Sequence, residues 1–141
     1  MIYYIADNHF GHKNVIRFDN RPFADTVLMD EVLVHNWNER VTEDDTVYIL
    51  GDCFWKNEEN SVKLIQRLKG HKHLIRGNHD RVHGRLRFYY ESIEHYAEIN
   101  DNDRLVILCH YPIPFYKNQH YGAVMLYGHV HNTREQDFIE K

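Results

Sequence analysis

His73-Leu74-Ile75-Arg76-Gly77-Asn78-His79-Asp80 sets a strand-forming run directly against a glycine and a burst of metal-ligating and acid-base side chains. This is the pattern of a strand that ends at the rim of a sheet and delivers its polar residues there, where open α/β sheets hold their chemistry. The same arrangement recurs four more times. Tyr3 to Ala6 runs into Asp7-Asn8-His9, Val47 to Leu50 into Gly51-Asp52, Leu105 to Cys109 into His110, and Val124 to Tyr127 into Gly128-His129-Val130-His131. Apolar runs closed in this way predict strands whose ends gather along one edge.

Helical spacing fills the gaps and makes the class α/β. From about Asp25 to Val41 the residues Leu28, Val32, Trp37 and Val41 recur on one predicted face, with Asp30, Glu31 and Glu39 between them. A second helix is predicted from Glu59 or Asn60 to Lys69, capped by Asn60 or Ser61 and ended by Gly70. Arg81 to Tyr90 reads as a short helix or a loop. Ile93 to Ile99 and Arg104 to Cys109 flank Asn100-Asp101-Asn102-Asp103, a hairpin signal. Pro112 to Tyr121 has no periodicity and reads as a loop over the site.

The chain of 141 residues has the length of one domain, residues 1–141, enough to bury roughly 70% of the surface its unfolded form exposes. Acidic residues outnumber basic ones 21 to 17, a net charge of -4, which argues against an electropositive face for extended duplex DNA. The apolar runs are strand-sized and the N-terminus opens on a strand pattern, so the reading is a cytoplasmic protein that makes no use of a membrane. Cys53 and Cys109 read as small buried or half-buried thiols, not as a disulfide framework.

The ligand types point to hydrolysis at phosphorus. Asp7 and His9 reach one ion, Asp52 bridges two through its two oxygens, Asn78 offers a neutral carbonyl oxygen to the second, and His110, His129 and His131 complete the shells. Two ions about 3.5–4 Å apart can hold the attacking and leaving oxygens of an in-line displacement and make hydroxide available near neutral pH. Phosphate esters are the natural substrates. His79 is not needed as a ligand and is free to protonate the leaving group, with Asp80 orienting its other nitrogen. His12 and His120 read as substrate contacts, Arg76 as a phosphate partner, and Tyr111 as a surface for a base or sugar. Each of these has an ordinary alternative as a surface or core residue, and His35, His71, His73, His83 and His95 read that way outright. The five clusters together do not, because burying so many histidines, aspartates and an asparagine without partners costs several kcal/mol.

In order and content, Asp7-x-His9, Gly51-Asp52, Gly77-Asn78-His79-Asp80, the lone His110 and Gly128-His129-x-His131 resemble the motifs of the calcineurin-like metallophosphoesterases, over almost the whole chain. The resemblance implies a four-layer αββα sandwich of two mixed sheets and a dinuclear centre of manganese first, with iron, zinc or nickel as alternatives. It implies Asp7, His9 and His131 at one metal, Asn78, His110 and His129 at the other, Asp52 between them, and His79 with Asp80 as the catalytic pair. Asp7-Asn8-His9-Phe10-Gly11-His12 and Asn20-Arg21-Pro22-Phe23 further resemble a small uncharacterised bacterial and phage branch of that family. Gly51-Asp52-Cys53-Phe54-Trp55 lacks the arginine that protein Ser/Thr phosphatases carry after this motif, so a phosphoprotein phosphatase is not implied.

The sequence therefore reads as a phosphodiesterase on a nucleotide-like substrate, since no cap segment is present to enclose a small one. A phosphomonoesterase is the alternative, and a non-catalytic interaction module is disfavoured by the filled ligand positions. The chain ends soon after His131, and an edge carrying Val124, Leu126, Phe138 and Ile139 predicts a two-fold homodimer.

Overall fold

Three parallel strands and a fourth beside them carry the first three ligand clusters. In the computed structural model, which describes residues 1–82 and 84–129, β1 (Ile2–Ile5), β2 (Thr46–Ile49), β3 (His71–Ile75) and β4 (Ser92–Glu94) form one sheet in that order, every pair parallel. Helices α1 (Lys13–Phe18), α2 (Thr26–Arg40) and α3 (Glu58–Ile65) supply the crossovers, as parallel neighbours require. A second sheet holds β5 (Tyr96–Asp101), β6 (Arg104–Cys109) and β7 (Val124–Leu126), with β5 antiparallel and β7 parallel to β6. The α/β class with two sheets agrees with the sequence. The second sheet is mixed as predicted, whereas the first is wholly parallel among the described residues. His83 and residues 130–141, and with them His131, Phe138 and Ile139, lie outside the described residues.

Two apolar clusters show the layering. Val34, Trp37 and Val41 around α2 and Val62, Leu64 and Ile65 of α3 pack with Val47, Ile49 and Leu74 on one face of the first sheet. On its other face, Leu50 and Ile75 meet Val106 and Leu108, flanked by Tyr4, Tyr48, Ala97, Val124 and Leu126. Val124 and Leu126 are half-buried against this seam, and among the described residues their strand is the outermost of its sheet. Among the described residues no helix is long and apolar enough to cross a membrane.

Local chemistry accounts for most boundaries. Asp25 caps α2 by accepting from the Leu28 N–H at 2.8 Å, as the predicted start requires. Its buried face is turned from the predicted one: Met29, Asp30, Val34 and Trp37 are inside, while Leu28 is 48% exposed. The cap of α3 is Asn57, accepting from the Asn60 N–H at 2.9 Å, three or four residues ahead of the predicted Asn60 or Ser61. Lys72, buried, donates to the carbonyls of Leu68 and Gly70 and so satisfies the turn that follows α3. The β5–β6 hairpin turns on Asn102 and Asp103, both at positive φ, the condition for a type I′ turn that fits strand twist.

The predicted strand Ile93 to Ile99 is divided. Its first part is β4 in the parallel sheet and its second part is β5 in the other, so the chain changes sheets at His95. The segment from Pro112 to Tyr121, predicted to cover the site, is tied to the second sheet. Ile113 N–H reaches Met125 Sδ at 3.3 Å and Lys117 pairs with Glu98 at 3.3 Å. Met125 and Glu98 both lie in register with Ile107, on the face opposite Val106 and Leu108. The loop therefore covers the outer face of the second sheet, where Ile107 is wholly buried.

Candidate metal centre

The loops that follow β1 and β2 continue as parallel neighbours beyond the strands. Asp7 N–H donates to Gly51 O (3.1 Å), His9 N–H to Asp52 O (2.9 Å), Phe10 N–H to Cys53 O (2.9 Å) and Trp55 N–H to Phe10 O (2.7 Å). This pairing is made with Asp7, His9 and Asp52 at φ 53°, 53° and 52°, and His129 stands at 70°. Left-handed backbone is uncommon for residues with a Cβ, costs of order 1–3 kcal/mol each, and gathers at functional sites. Here it occurs at the residues of two neighbouring loops, Asp7, His9 and Asp52, whose ligand atoms converge on one point.

The result is a pair of three-residue groups. Ligand atoms of Asp7, His9 and Asp52 lie within 4.8 Å of one another, and so do those of Asp52, His110 and His129. Asp52 belongs to both. Its Oδ2 stands 3.7 Å from His9 Nε2 and 3.2 Å from His110 Nε2, while Oδ1 accepts the His79 N–H at 2.9 Å. Oδ2 of Asp52 therefore faces both groups. Asn78 Oδ1 is 3.1 Å from His110 Nε2, which adds a neutral oxygen to the second group. Asp7 accepts the His129 N–H at 3.1 and 3.2 Å, tying the two groups together through the backbone.

Electrostatics follow from this crowding. Burial works to raise the Asp52 carboxyl, yet the bond to His110, the His79 N–H and the charge of both rings hold it below the usual carboxylate range. Burial likewise opposes a charged His110, but Asp52 and the Leu50 carbonyl carry that imidazole above its ordinary value. Both shifts favour the charged pair of carboxylate and imidazolium over the neutral one. His110 Nδ1 donates to Leu50 O at 2.7 Å, which leaves Nε2 for the cluster.

Two glycines make the approach of the loops possible. A Cβ on Gly51, itself at φ +91°, would stand 2.4 Å from His110 Nδ1, and one on Gly77 would stand 2.3 Å from Asp52 Oδ1. Either side chain would fill the space the ligands occupy.

Several predicted roles change. Asp80 does not touch His79: Oδ2 accepts the N–H of Asp52 (2.8 Å) and Gly77 (2.7 Å), and Oδ1 that of Cys53 (3.0 Å). Its carboxylate clamps the loops that carry Asp52 and Asn78, and desolvation raises its pKa despite those bonds. His12, predicted as a substrate contact, is 8% exposed, and its Nδ1 lies 2.9 Å from His9 Nδ1. Burial, then the neighbouring His79 and Arg21, lowers the His12 pKa; the neutral ring can accept from His9 and leave His9 Nε2 facing Asp52. Arg76 donates to the Asp80 carbonyl at 3.2 Å and serves the same clamp. His120 sits in the 3₁₀ turn Gln119–Tyr121 and belongs to neither ligand group. Tyr111 keeps its place at the rim, 43% exposed, with ring centroids 5.0 Å from His110 and 4.7 Å from His129. His131 lies outside the described residues, and Cys53 is a buried thiol in the helix-side core.

Sequence reading passed over two supports. Arg21 donates to the carbonyls of Asp7 (2.6 Å) and Asn8 (2.7 Å), and buried Asp30 accepts the Gly11 N–H at 2.8 Å and pairs with Lys56 at 3.2 Å. The signal for Arg21 was its place in the Asn20-Arg21-Pro22-Phe23 stretch; an acidic residue on the predicted outer face of α2 gave none.

No protein-family model matches the chain. It is 35% identical over 139 residues to the uncharacterized protein MJ1445 of Methanocaldococcus jannaschii, across 97% of this chain and 73% of that protein. It is 38% identical over 85 residues to the gene 66 protein of Mycobacterium phage L5, across 57% of this chain and 40% of that protein. With the gene 66 protein of Mycobacterium phage D29 the identity is 26% over 159 residues, 93% of this chain and 78% of that one. The crystal structure of AQ665, a protein of unknown function from Aquifex aeolicus, aligns with a TM-score of 0.76 at 28% identity, over 96% of this chain and 81% of that one.

Proposed function

The chain belongs to the family of the uncharacterized protein MJ1445, and we propose that it is a metal-dependent phosphoesterase of the metallophosphoesterase type acting on phosphodiesters. The observation that carries this reading is the sharing of Asp52 by two ligand groups. Carboxylate, imidazole and amide oxygen donors in that arrangement suit divalent first-row ions, manganese first. The residues present fit such a pair: Gly51 and Gly77 leave room for the ligands, and the Leu50 carbonyl orients His110. Asp7, His9 and Asp52 would hold one ion, and Asp52, Asn78, His110 and His129 the other, with His131 as a further donor. On this reading the fold is the four-layer sandwich of that superfamily.

Two such ions polarise a phosphoryl oxygen and make water nucleophilic near neutral pH. The chain's own part is positional and acid-base. Asp80, Arg21 and Asp30 fix the loops, so the ligands need no reorganisation when substrate arrives. His79 holds Asp52 through its backbone N–H while its ring stands at the rim, Nε2 3.1 Å from Asn78 Nδ2. We assign that nitrogen to protonate the leaving oxygen once substrate displaces the amide. Tyr111 stands beside His110 and His129.

The test is metal analysis beside turnover. Protein reconstituted with excess manganese is expected to hold two ions per chain and to hydrolyse bis-p-nitrophenyl phosphate, with activity lost on chelation and restored by the metal. One ion or none, or turnover indifferent to chelation, would remove the proposal.

A further inference from the structure

A cavity of about 540 Å³ opens beside the ligand cluster, and Asn78 and His79 line it. Its size is that of a pocket for a small organic molecule, and the metal ligands other than Asn78 do not line it. Trp55 forms part of its wall. One side of the indole packs on His12, with ring centroids 3.9 Å apart and planes 12° from parallel, and His79 meets it at 4.4 Å and 63°. Even so, 43% of Trp55 remains exposed. A large aromatic ring held rigidly by two imidazoles and left open beside a reaction centre is a stacking platform, not core.

The remaining wall is mixed. Val82, Leu86 and Tyr90 line it with apolar surface, and Lys56, Asn57 and Glu58 with polar groups, Lys56 paired with Asp30 and Glu58 with Arg85. Arg81 lines the same cavity and is exposed, and among the described residues it makes no ion pair. An exposed indole and a guanidinium that makes no ion pair among the described residues, in one cavity, ask for a ligand that is planar and aromatic at one end and anionic at the other.

We propose that this cavity binds a nucleoside phosphate unit, the base stacked on Trp55 and a phosphate paired with Arg81, and so selects nucleotidyl esters among phosphodiesters. As a statement about substrate choice this rests on the phosphoesterase reading; as a statement about binding it does not. Of the two tryptophans, Trp37 is 5% exposed, so quenching of indole fluorescence by a soluble ligand reports on Trp55.

Titration of the manganese-loaded and the chelated protein with adenosine monophosphate, ribose 5-phosphate and inorganic phosphate tests the assignment. The nucleotide is expected to quench fluorescence in both forms and to bind about tenfold or more tighter than ribose 5-phosphate, the scale of one base–aromatic stack. Trp55→Leu should erase that difference by calorimetry, and Arg81→Ala, an exposed change that leaves the core untouched, should weaken the nucleotide severalfold while adenosine is unaffected. A dinucleotide binding more tightly than the mononucleotide would identify strand ends as the source of the unit, and a weaker one free nucleotides. Equal affinity for nucleotide and ribose 5-phosphate, or no effect of either substitution, would overturn the assignment even with bis-p-nitrophenyl phosphate turnover intact. Nucleotide binding that depends on Trp55 without any such turnover would instead defeat only the phosphoesterase reading.

Discussion

The two ligand groups meet at Asp52 but are built differently. Asp7, His9 and Asp52 come from adjacent loops of one parallel sheet, paired by backbone hydrogen bonds and held in left-handed conformation. His110 and His129 come from the second sheet, after β6 and β7. The imidazoles are oriented differently too. His9 is backed by another side chain, His12, and His110 by a main-chain carbonyl, that of Leu50. A group assembled within one sheet can depend on side chains nearby, whereas one that spans two sheets takes its precision from their packing.

The shared residue offers the severest test of that contrast. Asp52→Asn keeps the volume and removes the charge common to both groups, so both ions should be lost and turnover of bis-p-nitrophenyl phosphate should fall by about 10³ or more. Retention of one tightly held ion would show that the groups are independent. His79→Ala should leave two ions per chain and lower turnover by roughly 10²–10⁴, because its ring lies outside both groups.

Asp80→Ala should act otherwise, since it strands two buried N–H groups and one part-buried one. A loss of roughly 1–3 kcal/mol in urea-induced unfolding is expected. Unaltered stability would mean that the clamp is not needed.

His12→Ala probes the contrast from one side only. Loss of the group behind His9 should weaken the ion at Asp7 and His9 by about 10–100-fold, leaving the other ion in place. Calorimetric titration resolving two steps would show which one moves, and equal weakening of both would dissolve the distinction drawn here.

The smallest effect concerns pH in the metal-free protein. The His110 pKa is raised, its burial outweighed by Asp52 and the Leu50 carbonyl. Its contribution to stability is therefore complete below the unfolded value of about 6.5 and is lost as pH rises through the higher folded value. The melting temperature of chelated protein should fall over that range, and His110→Asn should flatten the fall. Metal-loaded protein, with the imidazole neutral throughout, should not show it.

Much of this was legible from residue order. Strands ending in polar clusters are written locally, because an apolar run and the residue after it are adjacent in the chain; β1, β2, β3, β6 and β7 fall where those runs lie. The candidate ligands through His129 were legible for the same reason, and the structure brings them together. The roles of Asp80 and His12 were not, because both are decided by partners that lie in other loops or are bent back by a positive φ. A carboxylate next to a histidine in sequence looks like its orienting partner; only the fold shows its two oxygens already taken by backbone donors.

The amino-acid sequence alone determined the α/β class, the strand ends that carry chemistry, the start of α2 at Asp25 and the donor types available, since each depends on neighbours a few residues away. The tertiary structure decided that the run from Ile93 to Ile99 is shared between two sheets, and that Asp30 faces inward to hold Gly11. It also decided that the segment from Pro112 to Tyr121 is tied to the second sheet, and that one oxygen of Asp52 faces both ligand groups. Those outcomes turn on which surfaces meet. That is settled by the burial of apolar area and the pairing of backbone donors across long separations, and no window of sequence contains both partners.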